Sequence, residues 1–219
     1  MMQLKEFIHV FVFLIAGALI QSCESNDGVT GDGIGGQNGF VNGCEGVNYP
    51  NWETSLHKLP YPVGQSYTIG LSNCSSGSNH GPGEPDQFAM DIIMDIGTLV
   101  TASRKGTIMY VEESGDDFEE LNNVVVLRDE DGYFLQYQHL TLNGALVEQG
   151  DFVEEGDPIG YSGASGLASY PHLHFVATNW EWNVEYGSYD YFSYPITFSN
   201  TTENPKGLIQ GQTYEALPY

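Results

Sequence analysis

The sequence predicts an all-β domain with an open, mostly antiparallel sheet. Apolar residues alternate with polar ones in short segments, as they do in strands that bury one face. Clusters of Gly, Asp and Asn separate these segments at close intervals and indicate tight turns. After residue 22, no window repeats its apolar residues with the 3.6-residue period of an amphipathic helix.

The predicted strands are short, and most of them pair across a turn. Residues 99–111 form two strands that meet in a bend at Gly106. Residues 129–132, with the sequence Asp-Glu-Asp-Gly, form a hairpin turn, and residues 154–157 form a second turn. The remaining strands of this prediction cover residues 124–127, 133–139, 147–153, 158–161 and 172–177.

The N-terminal residues 1–22 predict a lipoprotein signal peptide. Residues 7–20 are apolar except for His9, which is too short for a bilayer span of about 20 residues but fits the hydrophobic part of a secretion signal. This run ends in Leu-Ile-Gln-Ser-Cys at residues 19–23, which resembles a bacterial lipobox. We therefore expect acylation of Cys23 and a lipid anchor in a membrane of the cell envelope. A plain secretion signal and an uncleaved anchor are the alternatives.

The rest of the chain divides into a tether and one domain. Residues 23–48 are rich in Gly, Asn and Asp and contain few large apolar groups, which predicts a flexible tether. The domain is expected over residues 49–219, with its core at about 59–177. Its C-terminal extension is rich in aromatic residues at 186–194, which either pack on the domain or form a wall of a substrate site.

Charge and cysteine content exclude some functions and predict one covalent bond. Acidic residues outnumber basic ones by 29 to 6, so the chain lacks the basic surface that nucleic acids or anionic lipids require. Besides Cys23, the chain contains only Cys44 and Cys74. Outside the reducing cytoplasm this pair favours a disulfide, with zinc ligation as the alternative.

Several residues are suited to metal chemistry. His172 and His174 are two residues apart in a predicted strand, so both imidazoles lie on the same face. His139 ends another strand, where a lone histidine is more often structural than catalytic. Asp91 lies within an apolar stretch, and a buried carboxylate without a partner is costly. A metal or a hydrogen-bonding partner is therefore expected at Asp91, unless it lies at an exposed strand edge.

The order of these segments resembles that of the lysostaphin/LytM-type zinc metallopeptidases of peptidoglycan. The resemblance runs from about Leu59 to Ala177 and implies their fold, a duplicated hybrid β motif with a groove that contains the metal site. It rests on Leu59-Pro60-Tyr61-Pro62-Val63-Gly64, Asp91, Gly97-Thr98-Leu99-Val100-Thr101-Ala102, Gly106-Thr107-Ile108, Tyr137-Gln138-His139-Leu140, residues 147–153 and 156–163, and His172-Leu173-His174-Phe175.

This resemblance implies roles for individual residues. Asp91 and His174 match two zinc ligands of the family, and His139 and His172 match its catalytic pair. Three protein ligands would leave the fourth position of zinc open to water, as in a catalytic site. The resemblance therefore implies a zinc endopeptidase that cuts stem peptides or cross-links of peptidoglycan.

The third ligand departs from the usual family pattern. Most members have a histidine four residues before the aspartate, and Gln87 occupies that position here, with Ala89 where glycine is usual. His80, which precedes an aromatic-Ala-x-Asp stretch, resembles the ligand of a branch whose histidine lies further upstream. We therefore assign His80 as the third ligand, with His57 in reserve.

Two other functions were considered. A non-catalytic domain of the same fold could bind the cell wall or activate an amidase. The hairpin at residues 147–160 also resembles half of a biotinyl or lipoyl carrier domain, but it contains no lysine to carry the cofactor. Peptidoglycan is the expected partner in either of the first two cases, and the sequence predicts no protein partner.

Overall fold

The structure is a computed structural model that describes residues 43–75, 79–183 and 188–219. The predicted signal peptide, Cys23 and the tether up to residue 42 lie outside the described residues. Within the described ranges, a 3-10 turn at Trp52–Thr54 is the only helical element. The same ranges contain no helix of the length and apolarity that a membrane span requires.

Twelve strands make up the described domain. They are β1 (Ser66–Leu71), β2 (Met90–Ile93), β3 (Leu99–Thr101), β4 (Gly106–Glu112), β5 (Val124–Asp129), β6 (Phe134–Gln138), β7 (Leu140–Ala145), β8 (Phe152–Val153), β9 (Pro158–Ser162), β10 (His172–Asn183), β11 (Ser188–Ser193) and β12 (Thr213–Glu215).

The strands form one large and one small antiparallel sheet. The large sheet has the order β12-β1-β2-β10-β6-β5-β4-β8, and β11 adds to it by pairing with β10. The small sheet has the order β3-β9-β7. All the strand pairs of the described residues are antiparallel. The predicted all-β, antiparallel fold is therefore confirmed.

Some strand boundaries differ from the prediction. Of the predicted strand at 147–153, only β8 is extended, because the peptide N–H of Asp151 bonds to the carbonyl of Glu148 and closes a turn. The predicted strand at 172–177 continues to Asn183, because its second half pairs with β11. Strands β1, β7, β11 and β12 were not predicted; the three residues of β12 are extended through their pairing with β1.

The buried strand β10 brings the histidine pair beside the apolar core. Leu173 and Phe175 are completely buried in the main apolar cluster, which Ile92 of β2 and Tyr137 of β6 also join. Burial of each such side chain contributes about 1.5–3 kcal/mol. Because side chains alternate along a strand, the histidines that flank Leu173 point to the opposite face of the sheet.

The end of the predicted tether is attached to the domain. Gly43 and Cys44 are buried, and Cys44 forms a disulfide with Cys74, with a Cα–Cα distance of 5.2 Å. The two cysteines form a small apolar cluster with Phe88. Because the two sulfurs are bonded to each other, neither is available to zinc. The hydroxyl of Tyr49 adds a second link by donating to Asn73 Oδ1 at 2.6 Å.

The aromatic extension packs on the domain where its side chains are described. The ring of Tyr194 lies 4.6 Å from the ring of Tyr133. The hydroxyl of Tyr191 donates a hydrogen bond to Asp86 Oδ1 at 2.6 Å. Phe192, in contrast, is exposed. These contacts agree with the packing interpretation for Tyr191 and Tyr194.

Replacing both Cys44 and Cys74 with serine should lower the free energy of unfolding. The bond joins residues 30 positions apart, and closing a loop of this length stabilises a fold by roughly 3–4 kcal/mol in the chain-entropy model. Urea unfolding of the oxidised wild type and the double variant measures this difference. Reductant should bring the wild type to the stability of the variant and leave the variant unchanged; equal stability of all three samples would contradict the prediction.

Candidate metal centre

Three buried side chains converge on one point. His80, Asp91 and His174 each offer a ligand atom, and these atoms all lie within 4.8 Å of one another. Asp91 Oδ1 lies 2.9 Å from His174 Nδ1 and 3.4 Å from His80 Nε2. Two imidazole nitrogens and one carboxylate oxygen are a donor set that zinc accepts. The described residues therefore fit a metal ion at this point.

Strand pairing positions two of the three. Asp91 in β2 lies directly opposite His174 in β10, and the two strands are antiparallel neighbours. Directly opposed residues on one face of such a pair have Cβ atoms about 4.5–5.5 Å apart. The sheet register therefore brings the carboxylate and the imidazole together without any contribution from loops.

A loop closed by Gln87 positions His80. The peptide N–H of Gly83 donates to Gln87 Oε1 at 2.6 Å, and the peptide N–H of Cys74 donates to the carbonyl of Gln87 at 2.7 Å. Gly83 has a φ of 86°, a left-handed conformation that favours glycine. Gln87 thus occupies the usual ligand position but closes the loop that brings His80 to Asp91. The reserve candidate, His57, lies outside this cluster.

His139 and His172 lie beside the cluster. Their ring centroids are 4.7 Å apart, and the ring of His139 is 5.7 Å from that of His174. Nε2 of His172 lies 3.6 Å from Asp91 Oδ1. All five residues assigned from the sequence are therefore brought together in one buried site.

Backbone carbonyls fix the tautomers of these two histidines. Nδ1 of His139 is 2.7 Å from the carbonyl oxygen of Ser165, and Nδ1 of His172 is 2.7 Å from that of Tyr170. A carbonyl oxygen can only accept a hydrogen bond, so each Nδ1 carries the proton of the neutral ring. Nε2 of each ring is then free to accept a proton.

The backbone of His139 needs support because its φ is 62°, which is uncommon for a residue other than glycine. Asn122 provides this support. Its Oδ1 accepts the peptide N–H of His139 at 3.0 Å, and its Nδ2 donates to Gln138 Oε1 at 2.8 Å. Sequence reasoning missed Asn122 and Ser165, since neither a support by a distant side chain nor one by a backbone carbonyl has a motif.

The electrostatics of the site follow from burial and from the close charges. Burial, together with the His174 and His172 rings, lowers the pKa of His139 to about 3. Burial also lowers the pKa of His172, so both imidazoles are neutral at pH 7. Burial alone would raise the pKa of Asp91, but the His174 and His80 rings outweigh it and hold that pKa well below its ordinary value.

The cluster also matches a known family. Residues 86–185 match the model of peptidase family M23. The chain contains a peptidase M23 domain. The matched region includes Asp91, His139, His172 and His174, whereas His80 lies upstream of it. The ligand that departs from the usual spacing is thus also the one outside the matched region.

The M23 domain is similar to parts of larger enzymes. Lysostaphin of Staphylococcus simulans is 35% identical over 111 residues, which are 48% of this chain and 22% of lysostaphin. Glycyl-glycine endopeptidase ALE-1 of Staphylococcus capitis is 34% identical over 125 residues, 57% of this chain and 29% of ALE-1. Peptidoglycan DD-endopeptidase ShyA of Vibrio cholerae is 34% identical over 85 residues, 39% and 18% of the two chains. The alignments cover less than a third of each relative.

Two solved structures have related sequences. The catalytic domain of lysostaphin from Staphylococcus simulans is 29% identical, with a TM-score of 0.36 over 55% of this chain and 75% of that domain. The catalytic domain of the prophage-encoded M23 protein EnpA from Enterococcus faecalis is 20% identical, with a TM-score of 0.44 over 59% of this chain and 92% of that domain.

The M23 domain should bind zinc more tightly as the pH rises from 7 to 9. Burial alone would lower the pKa of His174, but the carboxylates of Asp86 and Asp91 outweigh it and raise that pKa to about 9 in the metal-free protein. Below pH 9 zinc must therefore displace a proton from this ring, and the apparent affinity should rise by up to about tenfold per pH unit.

Competition with a chelator at pH 7, 8 and 9, corrected for the protonation of the chelator, measures this change. Calorimetry at pH 7.5 in two buffers of different ionisation enthalpy should give a release of about one proton per zinc ion. A zinc affinity that is the same at pH 7 and pH 9 would show that His174 is already neutral before the metal binds.

Proposed function

We propose that this chain is a zinc-dependent endopeptidase that hydrolyses peptide bonds in the stem peptides or cross-links of bacterial peptidoglycan. The observation that supports this proposal most directly is the convergence of His80, Asp91 and His174 beside two further histidines. In this proposal the first three hold the metal, and His139 and His172 act as the catalytic pair.

The names of the relatives support the choice of substrate. ALE-1 is a glycyl-glycine endopeptidase, and ShyA is a peptidoglycan DD-endopeptidase. Both enzymes cut amide bonds between amino acid residues. The same reaction class is proposed here, and it places the protein in the cell envelope, where its substrate is found. Anchoring through an acylated Cys23 is part of this proposal.

The mechanism assigns a separate task to each group of residues. A bound zinc ion lowers the pKa of water and polarises the scissile carbonyl. Nε2 of His139 and Nε2 of His172 are unprotonated in the neutral rings, so this pair can accept the proton of the attacking water and return it to the leaving amine. The low pKa values of both rings keep them ready to accept a proton at pH 7.

The second candidate is a non-catalytic, wall-binding or amidase-activating domain of the same fold. Such a role needs neither a complete ligand set nor a proton-accepting pair. Here all five side chains are present and adjacent, including His80, which a rearranged loop brings to Asp91. The preserved convergence favours the enzyme over the binding module.

Substitution of the ligand His174 and of the catalytic residue His139 should have different effects. His174→Ala should abolish both stoichiometric zinc retention and the digestion of purified sacculi, because a buried ligand is lost. His139→Ala should retain zinc but lower the rate of digestion by about 10²–10⁴-fold, the usual contribution of a general acid or base. Metal analysis and mass spectrometry of the released peptides measure the two properties.

Chelator-treated wild type, restored by added zinc, is the control for these variants. A His139→Ala protein that digests sacculi at the wild-type rate would refute the role of His139. A wild-type protein that holds zinc but releases no peptides would favour the non-catalytic candidate. A wild-type protein that takes up no zinc would rule out the proposed enzyme.

A further inference from the structure

The second ring nitrogen of His174 lacks a hydrogen-bonding partner. Nδ1 of this ring faces Asp91, but Nε2 on the other side is buried and accepts or donates no hydrogen bond among the described residues. A buried polar atom without a partner is costly, and such atoms are rare in folded proteins. The nearest carboxylate oxygen is Asp86 Oδ2, at 3.7 Å from Nε2.

Asp86 is held in an orientation that suits this nitrogen. Tyr191 of β11 donates its hydroxyl to Asp86 Oδ1 at 2.6 Å, which leaves Oδ2 directed towards the imidazole. The carbonyl of Asp86 also accepts the peptide N–H of Ala89 at 2.8 Å. The side chain of Asp86 is only 20% exposed, so its charge is poorly screened by solvent.

The distance of 3.7 Å is too long for a hydrogen bond but is about 0.8 Å from a normal one. Metal-binding histidines nearly always donate their other ring N–H to a carboxylate, a carbonyl or water, and this contact fixes the tautomer and raises the basicity of the ligand. A small rotation of the His174 ring or of the Asp86 side chain would close the contact.

We infer that Asp86 is the outer carboxylate of the metal centre, and that it positions His174 as a ligand by accepting its Nε2–H. This inference rests on the proposed zinc site. Nδ1 is then the nitrogen that faces the metal, and Nε2 carries the proton towards Asp86 Oδ2. Asp86 is a positioning residue, since it acts on the metal only through His174.

The inference also gives a function to the β10–β11 hairpin. Tyr191 lies in β11, and its hydroxyl fixes the carboxylate that supports His174 in β10. Gln136 of β6 donates to the same hydroxyl at 3.4 Å, so a neighbouring strand supports the tyrosine in turn. The chain Tyr191–Asp86–His174 therefore connects the C-terminal extension to the metal centre.

The zinc affinity of four variants tests this inference. Asp86→Ala should bind zinc about 10–100-fold more weakly than the wild type, the usual loss when an outer carboxylate is removed. Asp86→Asn should show a smaller loss, because an amide oxygen can still accept the N–H without the charge. Tyr191→Phe should show a smaller loss again. Glu84→Gln, which removes an exposed charge from the same loop, should leave the zinc affinity unchanged.

A second readout separates positioning from general stability. In the zinc-loaded wild type, ¹H–¹⁵N NMR of the imidazoles should show a His174 Nε2–H proton protected from exchange with water; it should exchange faster in Asp86→Ala and Tyr191→Phe. Circular dichroism and thermal unfolding of the metal-free variants report whether each one folds. If Asp86→Ala does not fold, Asp86→Asn and Tyr191→Phe provide the same comparison.

The outcomes distinguish this inference from the proposed function. Folded Asp86 variants with wild-type zinc affinity and an unchanged Nε2–H signal would overturn the role of Asp86 and leave the enzyme proposal intact. The same loss of affinity in Glu84→Gln as in Asp86→Asn would show a general effect of charge and would also overturn it. A wild-type protein without zinc affinity would refute the metal centre itself.

Discussion

The buried carboxylate of Asp91 is the constraint on which the rest of the site depends. Its Oδ1 faces nitrogens of three imidazoles, from His80, His172 and His174, at 2.9–3.6 Å. An ionised carboxylate cannot be removed from water without strong compensation. The strand pairing of β2 with β10, the His80 loop and the neutral His172 ring all serve to surround this one oxygen with groups that can share or accept charge.

Much of this arrangement could be predicted from the sequence, because it follows from local periodicity. Two histidines at a spacing of two in a strand must share a face, and an aspartate in an apolar stretch must have a partner. His80 could be assigned only through the family resemblance, since the loop that brings it to Asp91 has no periodic pattern. Asn122 and Asp86 could not be predicted, because their partners are distant in sequence or are reached only through the tertiary fold.

The strands show the same division. The alternating segments at β4, β5, β6 and β9 were predicted close to their observed bounds, because each has its own turn signals and its own alternation. Strand β12 has three residues and depends on its pairing with β1, which no local signal reveals. The second half of β10 likewise depends on β11. Local chemistry thus determined the elements near the site better than the elements at the sheet edge.

A covalent bond lies close to the metal-bearing loop. Cys74, whose peptide N–H bonds to Gln87, is joined to Cys44, and this pair packs on Phe88, three residues before Asp91. Thiols stay reduced in the cytoplasm of most cells and become oxidised outside it. In reducing surroundings, the segment that carries His80 would therefore lose one of its restraints. Oxidation and assembly of the zinc site are coupled through the same short segment, so a newly made chain completes this site most readily after it has left the cytoplasm.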